Sequence, residues 1–242
     1  MDASAYRRFS IAQNRGEMAL FERLGCTGTG ALLDIGCGDG RLTAQMAEAL
    51  PQWAITGLDP NNEMLDLADI SFAQPNLRFV RGTLDHLPTD NTFDAITLFN
   101  TLKFIPHAEA FLADMHRRLN PGGQLLIFAH PLDSLPAQIF REVLLEPEWK
   151  DNIDHAVVNA RRYLSDYQQI LDQLGFDITY CDVYESPRYT ETREELVETM
   201  SMVLPLYGKF NPDEQRRCAE AITDRMGTTD FKLLRLAYIG RV

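Results

Sequence analysis

The stretch Leu33-Asp34-Ile35-Gly36-Cys37-Gly38-Asp39-Gly40-Arg41-Leu42 decides how this chain is read. It closes a short apolar run, Ala31 to Ile35, of the kind that forms a strand buried on both faces. Glycine then occupies every second position of the turn, which permits positive φ and a close approach of main chain to a ligand. A helix opening near Arg41 directs its first N–H groups toward the same loop. The spacing is G-x-G-x-G, not the G-x-G-x-x-G of a dinucleotide turn. Asp39, inside the loop, would also repel phosphate oxygens. The ligand expected here is one without a pyrophosphate.

Working outward, the pattern alternates. Helical periodicity over Arg41 to Leu50 stops at Pro51. Trp53 to Leu58 reads as a strand ending at Asp59, Asn62 to Ile70 as a helix, and Leu77 to Arg81 and Phe93 to Phe99 as strands. A helix from Ala108 to Leu119 ends in the turn Asn120-Pro121-Gly122-Gly123, before a strand at Gln124 to Phe128. Such alternation predicts an α/β fold, a doubly wound parallel sheet with helices on both faces and its crevice beyond the carboxyl ends of the strands. Further along, helices are expected at Ala137 to Leu145, at Asp166 to Leu174 with Ser165 as its cap, at Thr192 to Leu204 and at Asp213 to Met226. Strands are expected at Phe176 to Tyr184 and Phe231 to Ile239. One or two amphipathic helices lie within residues 5–24. The expectation is a single domain over 1–242. It has a helical lid at 1–27, a ligand-binding core at 28–130 and helical insertions at 131–165 and 187–227 that cover the crevice.

Composition narrows the partners. The 242 residues are 45% hydrophobic and 24% charged, with a net charge of −12. No run of Lys or Arg exceeds two, so polyanions find no tracking surface and no nucleic-acid partner is expected. The apolar stretches are too short to span a bilayer, and Met1 to Arg8 leads into no apolar run, which predicts no leader and a cytoplasmic protein without a membrane partner. Cys26, Cys37, Cys181 and Cys218 form no C-x-x-C pair and the histidines show no ligand spacing, so no metal is expected. Monomer and homodimer both stay open.

Two carboxylates refine the ligand. Asp34 lies one residue before the end of its strand, where it can attract an ammonium directly or through water. Asp59 ends the next strand, where an acid can accept from both ribose hydroxyls. A nucleoside carrying an amino acid satisfies both, which describes S-adenosylmethionine.

At this point the chain resembles the class I S-adenosylmethionine-dependent methyltransferase family. LLDIGCGDGRL is similar to its first motif, Gly57 to Leu65 to its second and Arg81 to Pro88 to its third; Phe93-Asp94-Ala95-Ile96 with Asn100, and Leu119 to Gly123, follow in order. The resemblance covers roughly residues 30 to 130. It implies a seven-stranded, mainly parallel Rossmann-like sheet and places Gly36, Cys37, Gly38 and Gly40 at the methionine part, with Asp34 facing its ammonium. It also implies Asp59 at the ribose, Pro60 and Met64 beside the adenine, and the Asn100 carbonyl near the ammonium. Where many relatives carry an acid, this chain has Thr83, so adenine recognition passes to Asp85, the Leu84 N–H or water.

For the acceptor, Tyr6, Phe9 and Gln13 resemble the opening of methyltransferases of small carboxylic acids, the trans-aconitate type. In that likeness Tyr6 and Phe9 close over the methyl donor, with Tyr6 and Gln13 as cofactor contacts and Phe9 as a substrate contact. Lys103 and Phe104 after strand four, His130 after strand five, and Arg161, Arg162 and Tyr163 before a helix are the further candidates. Lys103 would pair an anion and His130 would act as base. The activity implied is methyl transfer from S-adenosylmethionine, leaving S-adenosylhomocysteine, to a small anionic or polar metabolite at oxygen. Methylation of tRNA or protein, and a non-catalytic S-adenosylmethionine-binding module, are the competing readings.

Overall fold

The computed structural model describes residues 16–186, 192–228 and 233–242. Tyr6, Phe9 and Gln13 therefore lie outside the described residues, and so does most of the expected N-terminal lid. In chain order the elements are α1 (Glu17–Glu22), β1 (Gly30–Ile35), α2 (Arg41–Ala49), β2 (Trp53–Asp59), α3 (Asn62–Ser71), β3 (Leu77–Arg81), β4 (Phe93–Phe99), α4 (Ala108–Arg118) and β5 (Leu119–Ala129). They continue with α5 (Leu135–Leu144), α6 (His155–Val158), α7 (Leu164–Gln173), β6 (Asp177–Ser186), α8 (Arg193–Val203), α9 (Pro212–Met226) and β7 (Leu233–Arg241). Short 3-10 turns stand at Leu84–His86, Leu102–Phe104 and Leu204–Leu206.

The strands form one seven-stranded sheet in the order β3-β2-β1-β4-β5-β7-β6. Six run in one direction, while β7 enters antiparallel between β5 and β6. Two-residue periodicity divides the strands between two cores. Leu33, Ile96 and Leu125 face a core completed by Leu112 and Met115 of α4 and Tyr167 of α7. Their neighbours Leu32, Ala95 and Leu126 face the opposite core with Phe21 of α1 and Met46 of α2. The sequence order reverses at β1 and β4, and a crevice opens there at the carboxyl ends, as for doubly wound sheets generally.

A third core lies off the sheet. Val143 of α5, Trp149, Val197 of α8, Leu204, and Cys218 and Ile222 of α9 pack together, so the two helical segments that interrupt the sheet join each other. Their ends follow from caps. Thr192 and Glu195 exchange side-chain bonds to each other's N–H at the start of α8, Asn211 and Glu214 do the same for α9, and Gly227 (φ 68°) ends α9.

Two local expectations change. Ser165 lies inside the first turn of α7; Asp133 caps instead, its Oδ2 accepting the Leu164 N–H at 2.6 Å, and Asp166 accepts the Tyr163 N–H at 3.1 Å. The Asn120-Pro121-Gly122-Gly123 turn is absorbed into β5 as an irregularity, with Gly122 at φ 80° and a shift of register opposite Phe93 and Ala95. Among the described residues no helix is long and apolar enough to cross a membrane.

Candidate functional site

The glycine loop spends its own donors. Gly36 N–H (2.7 Å) and Cys37 N–H (3.2 Å) both donate to the Leu58 carbonyl, and Gly40 N–H donates to the Cys37 carbonyl at 3.1 Å. Gly38 N–H donates to Asp59 Oδ2 at 2.9 Å, and Asp39 Oδ1 accepts the Arg41 N–H at 3.3 Å. Those donors are therefore withdrawn from any phosphate-cradling nest. What the loop presents instead is acidic. Asp59 Oδ1 also takes the Asn61 N–H (2.8 Å), which leaves each of its oxygens a second lone pair toward the crevice. Burial pushes the Asp59 carboxyl up, against the pull of these two N–H groups.

Gly36, Gly38, Asp59, Pro60, Met64, Thr83, Leu84 and Asn100 all line one cavity of about 570 Å³ that continues under the helical segments. Asn100 stands at φ 60°, alone among the described non-glycine residues in being positive. That strained conformation is tolerated best by Asn and is typical of ligand-facing turns. Its N–H donates to the Phe128 carbonyl (2.7 Å) and its Nδ2 to Glu17 Oε1 (2.9 Å).

Several expected contacts are placed elsewhere. Asp34 lies behind the loop, buried, its two oxygens taken by the hydroxyls of Thr43 (2.6 Å) and Thr97 (2.8 Å), and it is not part of the cavity wall. Burial raises its carboxyl to about 6. Cys37 is buried beneath the loop in a small cluster with Leu65, Ala68 and Phe79. Gly40 packs rather than lines: a Cβ there would come within 2.6 Å of the Phe79 ring and 2.7 Å of Ala68 Cβ. Asp85 is exposed and outside the cavity wall, because the 3-10 turn buries Leu84 and points its neighbour outward. Arg162 bonds the Asn159 carbonyl (3.3 Å) and lies 3.9 Å from Glu109, while Tyr163 is exposed on the surface. The residue of that trio that reaches the cavity is Arg161.

The far half of the cavity is basic and apolar. Lys103, Phe104, His130 and Arg161 line it, as expected for Lys103, Phe104 and His130. Lys103 is enclosed by the fold, and burial, aided by the charges of Arg161 and Arg235, brings its ammonium down to about 7. His130 is held neutral, well below its ordinary value, by burial and by Lys103, Arg235 and Arg161. Its ring bonds the Leu234 main chain, and Nδ1 has no partner among the described residues. Behind these groups Arg235 stacks over Phe128 (5.0 Å), and Glu17, buried, is raised to about 7 by desolvation despite Arg235 and Asn100.

Glu17 and Arg235 are site neighbours that sequence reasoning passes over. Arg235 carried a signal, a lone cation inside the apolar run Leu233 to Leu236; Glu17, in a polar stretch, carried none. A second depression, of about 730 Å³, lies at the opposite ends of β1 and β2 near Trp53 and Asn76, away from every group named above.

Comparison with known proteins agrees with this geometry. Residues 32–123 match the methyltransferase domain family. The chain is 30% identical to a trans-aconitate 2-methyltransferase of Acidovorax ebreus over 166 residues, which cover 68% of this chain and 63% of that protein. It is 35% identical to a demethylmenaquinone methyltransferase of Lactobacillus johnsonii over 119 residues, 47% of this chain and 49% of that one. The chain thus spans less than two thirds of the length of these curated relatives. In fold it is similar to a phosphoethanolamine N-methyltransferase 2 of Haemonchus contortus (TM-score 0.63, 19% identity, 93% of this chain and 52% of that one). In sheet order, in its ordered motifs and in these matches, the chain is similar to class I S-adenosylmethionine-dependent methyltransferases, and residues 32–123 match their domain. Within that class the chain resembles the trans-aconitate type.

Proposed function

We propose that the chain transfers a methyl group from S-adenosylmethionine to an oxygen of a small anionic or polar molecule. The observation that carries this reading is the glycine loop, whose N–H groups are bonded internally while Asp59 faces the crevice. The bonded N–H groups are not offered to a pyrophosphate, while the carboxylate suits the ribose of a cationic, phosphate-free nucleoside. When bound, S-adenosylmethionine supplies a methyl group on a sulfonium, already activated for displacement.

The residues then have limited tasks. Asp59 holds the ribose hydroxyls, Pro60, Met64 and Leu84 flank the base, and the Asn100 carbonyl receives the ammonium. Asp34, bonded to Thr43 and Thr97, braces the loop and keeps the electrostatic field at that end negative. At the far end Lys103 and Arg161 hold the acceptor oxygen, and the bare Nδ1 of His130 takes a proton from an acceptor that arrives protonated. The apolar walls exclude water, so alignment supplies much of the rate. The net charge of −12 and the enclosed cavity favour a small acceptor over RNA or protein.

The test is binding followed by product analysis. Calorimetry should show S-adenosylmethionine binding weakened by on the order of 1–3 kcal/mol in Asp59→Ala. Asp59→Asn should fare little better, because its amide cannot accept both the Gly38 and Asn61 N–H groups. Labelled methyl should enter the low-mass fraction of an extract; equal affinity in the Asp59 variants, or label in RNA or protein alone, would refute the reading. His130→Ala should slow turnover of a protonated acceptor and leave S-adenosylmethionine affinity unchanged.

A further inference from the structure

Resting on the methyltransferase reading, we infer that the acceptor is an amphiphilic monocarboxylic acid, a single carboxylate head on an apolar body. Two observations converge on it. The first is charge. Lys103 and Arg161 line the far half of the cavity, with Arg235 close behind, and Glu17 is the carboxyl that faces this group. Asp59, the one carboxylate among the described lining residues, belongs to the glycine-loop end.

Neither Lys103 nor Arg161 forms an ion pair with a described residue. Arg161 bonds the neutral Tyr207 hydroxyl at 3.0 Å, and the Lys103 ammonium lies 5.0 Å from the Phe104 ring centre. Both are half-buried beside apolar side chains, and their contacts with neutral partners leave each able to take an anion. A carboxylate between Lys103 and Arg161 supplies that anion through charge-assisted bonds. Its oxygen is then the nucleophile: it forms the new O–C bond, the methyl–sulfur bond breaks with its electron pair going to sulfur, and a methyl ester and a neutral thioether result.

The second observation is the apolar wall around those cations. Phe104 and Phe140 pack against the Tyr207 ring with centroids 5.4 Å and 4.9 Å away. Met200, Met202 and Met226, flexible and apolar, complete the chamber. Beyond Lys103 and Arg161 no Lys or Arg is among the described lining residues, so a second or third carboxylate would be buried against carbon. Short polycarboxylates are therefore disfavoured, although the chain is 30% identical to a trans-aconitate 2-methyltransferase. At 30% identity that resemblance leaves the acceptor groups free to differ.

The experiment is competitive binding with S-adenosylhomocysteine present, using decanoate, tricarballylate, decan-1-ol and decyltrimethylammonium as probes. Decanoate should bind at least tenfold more tightly than each of the others, and its methyl ester should appear when S-adenosylmethionine replaces S-adenosylhomocysteine. Lys103→Met, which keeps the length of the side chain, should weaken decanoate about tenfold while S-adenosylhomocysteine binds as before; Arg161→Met repeats the test should the first variant melt early. Tricarballylate or the alcohol binding as well as decanoate, or decanoate unaffected in both folded variants, would overturn the acceptor class. S-adenosylhomocysteine failing to bind the unaltered protein would instead overturn the methyltransferase reading.

Discussion

A methyl group on Gly36 would overlap Oγ1 of Thr101, a hydroxyl that donates to the Ile35 and Phe99 carbonyls at 3.0 and 3.2 Å. Gly36 also stands at φ 75°, where a side chain is strained whatever the space. Gly36→Ala should therefore cost on the order of 2–3 kcal/mol of stability in denaturant melts and abolish S-adenosylhomocysteine binding in calorimetry. A variant that binds normally would show the loop to be adaptable. The three loop glycines share a spacing but not a task. Gly36 admits Thr101, Gly38 lends its N–H to Asp59, and Gly40 lets α3 and β3 close over the turn. A sequence shows that side chains are absent there; it does not show which neighbour fills each space.

The elements were legible where hydrophobic periodicity alone decides them. β1, β2, β4 and α2 stand within a residue or two of their expected bounds, because each buries a face against the same sheet. Caps were less legible. Ser165 has the right side chain for the start of α7, yet Asp133, 31 residues upstream, reaches the Leu164 N–H first. For the site, the glycine-loop half could be read from local motifs. The acceptor half could be read in part: Lys103, Phe104, His130 and Arg161 were legible from their places in the sequence, whereas Glu17 of α1, Arg235 of β7 and Tyr207 join them through tertiary packing. The element α1 carries its own test. Glu17 is raised from 4.5 to about 7 by burial, so the folded protein holds its proton more tightly than the unfolded chain. That contribution is complete below pH 4.5 and is lost as pH rises through about 7. Denaturation of Glu17→Gln beside the unaltered protein should show the variant gaining relative stability across this window, by ~3 kcal/mol at its end. A difference independent of pH would place the ionised form of Glu17 in both states.

At the scale of the whole molecule, the sheet and the helical segments meet at one cavity, so a ligand there should hold both together. S-adenosylhomocysteine at a hundred times its Kd adds about 2.7 kcal/mol to a state that alone can bind it. For a chain of this size that is a rise in midpoint of roughly 5–10 °C, seen in calorimetry as a single shifted transition. Two transitions of which one moves would show that the core built on Trp149 and Ile222 melts by itself. The self-satisfied glycine turn has a further physiological consequence. Adenosine triphosphate and oxidised nicotinamide dinucleotide, plentiful in any cell, offer Asp59 the same ribose hydroxyls, but their phosphates meet loop N–H groups that are already bonded. The crevice stays available to its intended occupant amid a large excess of look-alikes, and its occupancy follows the supply of that nucleoside rather than the energy charge around it.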